Sequence, residues 1–149
     1  MKINPSLGNN VLTYSMQLPQ VYLKVKEIKT RMGKVILYTN LTRTLLYAEA
    51  SGYISLSLLK QDLAFVSDSD QSQTQPWIYL VNTAQIGFAH PLNLFYLNHL
   101  KDKNYLKHYI VYINFPFICF INNSFRKLIS IDQILKSEQE LLTILNDHA

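Results

Sequence analysis

The chain has 149 residues, the span of one domain, and its 48% hydrophobic content excludes an intrinsically disordered protein. Charged residues make up only 16%, against roughly 25% in an average soluble domain. The surface must therefore lean on Asn, Gln, Ser, Thr and Tyr, or be covered in part by a partner.

The net charge is +4, but the bases are unevenly spread. Lys24, Lys26, Lys29, Arg31, Lys34 and Arg43 stand against Glu27 alone, while beyond Ser130 Lys136 faces Asp132, Glu138, Glu140 and Asp147. A phosphate-binding footprint needs its bases on one face. Alternation lets Lys24 and Lys26 share a strand face, yet edge lysines that discourage strand pairing do the same. Nucleic acid is thus not the expected partner. Whether Lys24, Lys26, Lys29, Arg31 and Lys34 form a working basic patch is left open.

In chain order, residues 1–10 read as a loose tail. Val11–Gln17, Val21–Lys29, Lys34–Thr39 and Thr44–Ala50 are short segments rich in Val, Ile, Leu, Thr and Tyr, separated by turn residues such as Met32-Gly33 and Asn40-Leu41-Thr42. Alternation in Val21–Lys26 predicts Val21, Leu23 and Val25 inward and the lysines outward. After Ser51-Gly52 the period changes: Leu56, Leu59, Leu63 and Val66 recur at helical spacing, with Ser55 or Ser57 as the cap. Residues 67–76, full of Ser, Asp and Gln, read as a mobile loop.

Trp77–Val81 and Tyr109–Ile113 are continuous apolar runs, suited to strands covered on both faces. Between them Pro91 can open a helix carrying Leu92, Phe95, Leu97 and Leu100 and reaching Lys107. Phe117, Ile118, Ile121, Phe125 and Leu128 mark a third helix. Ser137-Glu138-Gln139-Glu140 has capping-box spacing ahead of a last one, with Leu141, Leu142, Ile144 and Leu145 as its buried stripe. The expectation is a single α/β domain over 1–149: an open mixed β-sheet with an antiparallel N-terminal part and about four helices packed on it.

This order resembles the STAS domain, the fold of SpoIIAA-like anti-anti-sigma factors and of sulfate-transporter tails. The resemblance runs over roughly residues 44–146. It rests on Ala48–Ile54 before the first helix, Trp77–Thr83 as the central strand, the passage Gln85–Leu94, the strand Tyr109–Asn114 and the final helix. It implies a protein-interaction module switched by phosphorylation of a serine that opens the helix after the central strand. Here Asn82 stands at the position of the family's Asp, and Phe88-Ala89-His90-Pro91-Leu92-Asn93 replaces its serine motif. From Gln85 to Lys101 there is no Ser or Thr, so the expectation is a chain without that switch. Thr83 is the one rescue candidate.

In such a sheet, ligands meet the loops beyond the carboxyl ends of the parallel strands. Asn82–Pro91 and Asn114–Pro116 are the loops named on that ground. Asn82, Thr83, Phe88, His90, Phe95, Asn114, Phe115 and Phe117 are accordingly the candidate binding residues. His90 is the one histidine there, but no Ser, Cys or carboxylate lies near it in sequence, and a structural His before a helix-opening Pro is the better reading. The lone Cys119 cannot form an internal disulfide, sits among Ile118, Phe120 and Ile121 as an inert buried thiol would, and has no metal-type spacing around it. The four glycines are scattered, with no phosphate loop. No cofactor, metal or reaction is expected.

Residues 1–10 lack the apolar core of a secretory signal, and Tyr109–Ile121, interrupted by Asn114 and Pro116, is shorter than the roughly 20 residues of a membrane span. A cytoplasmic setting is expected. The functional expectation is a non-catalytic interaction or regulatory module, able to self-associate. The alternative is a small carrier binding an apolar or amphipathic ligand near the aromatic loops. An enclosed cavity would favour the carrier, and a flat exposed patch the partner.

Overall fold

A computed structural model describes residues 18–19, 21–68, 76–90, 92–113 and 131–149. Six strands lie side by side in chain order: β1 (Leu23–Lys29), β2 (Gly33–Thr39), β3 (Leu45–Ile54), β4 (Trp77–Ala89), β5 (Leu106–Tyr112) and β6 (Gln133–Leu135). The first three pair antiparallel; from β3 onward every pair is parallel. Parallel neighbours need crossovers, supplied here by α1 (Leu56–Asp68) between β3 and β4 and α2 (Leu92–Asp102) between β4 and β5. Because such crossovers are right-handed and the strands advance in one direction, both helices fall on the same face. The third helix, α3 (Glu138–Asp147), follows β6 and covers the other.

The two faces hold separate cores. On the first, Val35, Leu37, Leu46, Ala48, Tyr79, Val81, Tyr109 and Val111 pack under Leu58, Leu59, Leu63 and Val66 of α1 and Leu97 and Leu100 of α2. On the second, Leu45, Tyr47, Leu80, Ile110 and Tyr112 pack under Leu141 and Leu145 of α3, joined by Tyr22, whose hydroxyl donates to the Leu145 carbonyl at 2.8 Å. Adjacent residues of β3, β4 and β5 thus enter opposite cores, which is why those strands read as unbroken apolar runs.

Local chemistry fixes the joints. The hydroxyl of Thr30 accepts the Met32 and Gly33 N–H groups and closes the β1–β2 turn. Gly33 and Gly52 stand opposite each other in β2 and β3. A Cβ on Gly33 would lie 2.0 Å from the Tyr53 carbonyl oxygen, one on Gly52 2.3 Å from that of Met32, and Gly52 has a φ of +75°; only glycine fits both demands. Ser55 caps α1 by accepting the Leu58 N–H at 3.0 Å. Ser137 accepts the Glu140 N–H at 3.1 Å, and Glu140 reaches back to the Lys136 N–H at 2.9 Å. Leu141 and Leu145 are buried, while Leu142 and Ile144 are half-buried beside them.

Five expectations need correction. Leu23 and Val25 point out, 53% and 42% exposed. A bulge between Lys24 and Lys26 adds one residue and so reverses the alternation from Val25 onward. Ile28 then packs into the first core, and Lys24 and Lys26 lie on opposite faces rather than on one. Lys24 pairs with Glu27, whereas Lys26 donates to the Gln61 carbonyl of α1. Strand β3 runs through Ser51-Gly52 to Ile54, and β4 through Asn82–Gln85 to Ala89, because these stretches pair with each other: Ser51 with Gln85, Tyr53 with Phe88, Ile54 with Ala89. What reads as a loop after Val81 is therefore strand. Helix α1 continues over Ser67 and Asp68, into the expected loop. Helix α2 stops at Asp102, where Asn104, with a φ of 64°, turns the chain into β5. Finally, three helices are described against about four expected. The expected strand Val11–Gln17, the helix over Phe117–Leu128, and the residues Pro91, Asn114, Phe115, Phe117 and Cys119 lie outside the described residues.

Candidate functional site

The carboxyl halves of β3 and β4 outrun the apolar cluster beneath α3. On that face the register stacks rows of side chains: Tyr38 with Tyr47, then Ile36 with Glu49 and Asn82, then Lys34 with Ser51 and Gln85, then Tyr53 with Phe88. Tyr38, Tyr47 and Ala84 still belong to the cluster under α3; Tyr53 and Phe88 belong to neither core.

The middle rows form a polar network. Tyr47 donates its hydroxyl to Glu49 Oε2 at 3.1 Å and accepts from Asn82 Nδ2 at 3.0 Å. Tyr38 approaches Glu49 Oε1 at 3.5 Å, and the rings of Tyr38 and Tyr47 tilt together with centroids 5.9 Å apart. Asn82 Oδ1 accepts the Ala84 N–H at 3.0 Å, and the Thr83 hydroxyl donates to the Tyr112 carbonyl at 2.7 Å. These last two bonds hold β4 where it slips register against β3. Burial pushes the Glu49 carboxyl up, and the two tyrosine hydroxyls and the charge of Lys34 partly offset it. Beyond Ser51 and Gln85 the surface ends in two rings: Tyr53 and Phe88 stack nearly parallel, at 7° and 5.6 Å, with Phe88 57% exposed.

The candidate residues named from sequence divide between two places. Asn82, Thr83 and Phe88 lie along β4, with Phe88 on the face described above. His90 and Phe95 belong to the start of α2, a helix of the opposite face; Phe95 is 56% exposed there. His90 Nδ1 accepts the Leu92 N–H at 3.1 Å, the His90 carbonyl accepts the Asn93 N–H, and its own N–H donates to the Ile54 carbonyl. The ring is thus engaged in opening α2. Asn114, Phe115 and Phe117 lie outside the described residues. Of the basic residues, the bulge puts Lys24 and Lys26 on opposite faces, while Lys29 stands opposite Lys34 and both, with Lys24, act on Glu27.

Glu49, Tyr38, Tyr47, Ser51 and Tyr53 were not legible as site residues. The one signal in the sequence is the two-residue spacing of Tyr47, Glu49, Ser51 and Tyr53, which puts all four on one strand face. Among the described residues no three His, Cys, Asp or Glu side chains gather to hold a metal, and no helix is long and apolar enough to cross a membrane.

The sequence matches no family model and no curated protein. Among solved structures the chain is similar to an uncharacterized protein from the DUF3478 family with a SpoIIAA-like fold, from Shewanella loihica PV-4. The two are 9% identical, with a TM-score of 0.49 over 88% of this chain and 99% of that one. That fold is the one the order of elements resembles. At this identity and TM-score neither activity nor partner follows from the likeness.

Proposed function

We propose that the chain is a non-catalytic protein-interaction module of a regulatory assembly, meeting a protein partner or a second copy of itself on the open half of the β3–β4 face. The observation that carries the reading is the stacked Tyr53–Phe88 ring pair at the carboxyl ends of two parallel strands, with Phe88 57% exposed. A single exposed apolar side chain means little. Here a stacked pair adjoins uncharged donors and acceptors on Ser51, Gln85 and Asn82, the mixture of aromatic centre and polar surround that interfaces favour. A ring pair open to solvent suits a partner's surface better than an enclosed ligand. The engagement of His90 in capping α2 speaks for binding rather than acid–base catalysis. A cytoplasmic setting belongs to the same reading.

Native mass spectrometry of freshly purified chain tests it. The expected spectrum holds a dimer or a second protein, lost in Phe88→Glu and retained in Phe95→Glu, which alters the opposite side. A small-molecule adduct on the wild type would replace this reading with the carrier of an apolar or amphipathic ligand. A complex that survives Phe88→Glu would overturn the assignment of the surface.

A further inference from the structure

Asp62 lies in the middle of α1, among Leu58, Leu59, Leu63 and Val66, which turn toward the sheet. It is 0% exposed, and neither carboxyl oxygen has a hydrogen-bond partner among the described residues. The elements around it offer little charge. From β1 comes Lys26, whose ammonium is bonded to the carbonyl of Gln61, the residue just before. From β2 come Val35 and Leu37, which cannot ionise. From β4 comes the phenol of Tyr79, with Tyr109 of β5 stacked on it at 5.7 Å, both buried. At the seam with α2, Lys60 sits over the Tyr96 ring. A carboxylate here would have lost its water and found no donor, a state that buried groups escape by staying neutral. Burial pushes Asp62 up to about 7, with Lys26 pulling weakly the other way.

We propose that α1 is a proton-controlled latch, docked against β1 and β2 while Asp62 is protonated and released as that proton is lost. The neighbours Lys60 and Gln61 are exposed, and β1 is the outermost strand among the described residues, so a modest movement of α1 brings Asp62 to water. In the released helix the carboxyl titrates at its ordinary value of about 3.9. The docked helix keeps its full advantage below that pH and loses it progressively as pH rises to about 7, after which the balance is level. Across that window each pH unit favours release by about tenfold.

Amide hydrogen exchange of the full chain, corrected for intrinsic rates, reads this directly. Between pH 5 and pH 7 the α1 amides from Leu58 to Val66 are expected to lose protection by about tenfold per pH unit, while those of Leu141 to Leu145 in α3 hold theirs. In Asp62→Asn the α1 protection should be the same at both pH values. Lys26→Met, which removes the cation that draws Asp62 down, should extend the loss to higher pH and gives a second test should Asp62→Asn fail to fold. Equal losses in α1 of wild type and Asp62→Asn, parallel losses in α1 and α3, or an unmoved pH range in Lys26→Met would each overturn the latch.

Discussion

The two faces of the sheet are finished to different degrees. On one, α1 and α2 seal a core that reaches from Ile28 on the edge strand to Val111 on β5. On the other, α3 and Tyr22 cover the amino-terminal halves of β3 and β4 among the described residues, and the rest of those two strands carries Glu49, Ser51, Gln85 and the Tyr53–Phe88 rings. Each face holds a carboxyl raised by burial, and the pair shows what completeness costs. Glu49 keeps two tyrosine donors and some water. Asp62, fully covered, has no donor among the described residues. Sealing a face suits apolar side chains and penalises a carboxylate; leaving it open does the reverse.

Truncating the sealed parts should cost most. Leu63→Ala under α1 and Leu141→Ala under α3 both remove wholly buried side chains and should each lose about 2–5 kcal/mol in urea unfolding. A loss under about 1 kcal/mol at Leu141 alone would mean that the second face is loosely covered throughout. Next comes Asn40, whose side chain accepts the Thr44 and Leu45 N–H groups and donates to Thr44 and to the His148 carbonyl, tying the β2–β3 turn to the end of α3. Asn40→Ala leaves these partners unmatched and should cost about 1–3 kcal/mol.

On the open half, Phe88→Ala should change the stability of the isolated chain by less than about 1 kcal/mol, the scale of one ring contact at the surface. A loss as large as that of Leu63→Ala would break the comparison, because the rings would then be core. Smallest is a change of slope. The Glu49 carboxyl is raised in the folded chain, so its contribution is fully present below the ordinary value of about 4.3 and fades as pH rises through the folded value. Glu49→Gln should flatten the wild-type stability profile just above pH 4.3 and leave the α1 exchange behaviour unchanged.

Much of the fold was legible, for reasons that particular residues make plain. Trp77–Val81 and Tyr109–Tyr112 feed two cores at once, and only a doubly covered strand has that composition. The spacing of Ser137 and Glu140 marks the start of α3 because capping is local chemistry. What stayed hidden depends on partners far along the chain. Ser51-Gly52 and Asn82–Gln85 look like breaks, yet each is held extended by the other. The bulge at Val25 exchanged inward for outward positions. Asp62 occupies a core position of the α1 stripe, one turn before Val66, and a period counted only on apolar residues passes over it. Phe88, His90 and Phe95 are close in sequence, yet Phe88 stacks on Tyr53 while His90 and Phe95 belong to the helix of the opposite face, because neighbours in sequence need not be neighbours in space.

The bond from the Tyr22 hydroxyl to the Leu145 carbonyl spans 123 positions, and it has a meaning for how the chain is made. On a ribosome the strands from β1 to β5 emerge before α3 exists. Their first face closes as α1 and α2 arrive, but Leu45, Tyr47, Leu80, Ile110 and Tyr112 lack the cover of Leu141 and Leu145 until α3 leaves the exit tunnel. During that interval the nascent sheet presents an apolar surface to whatever waits there.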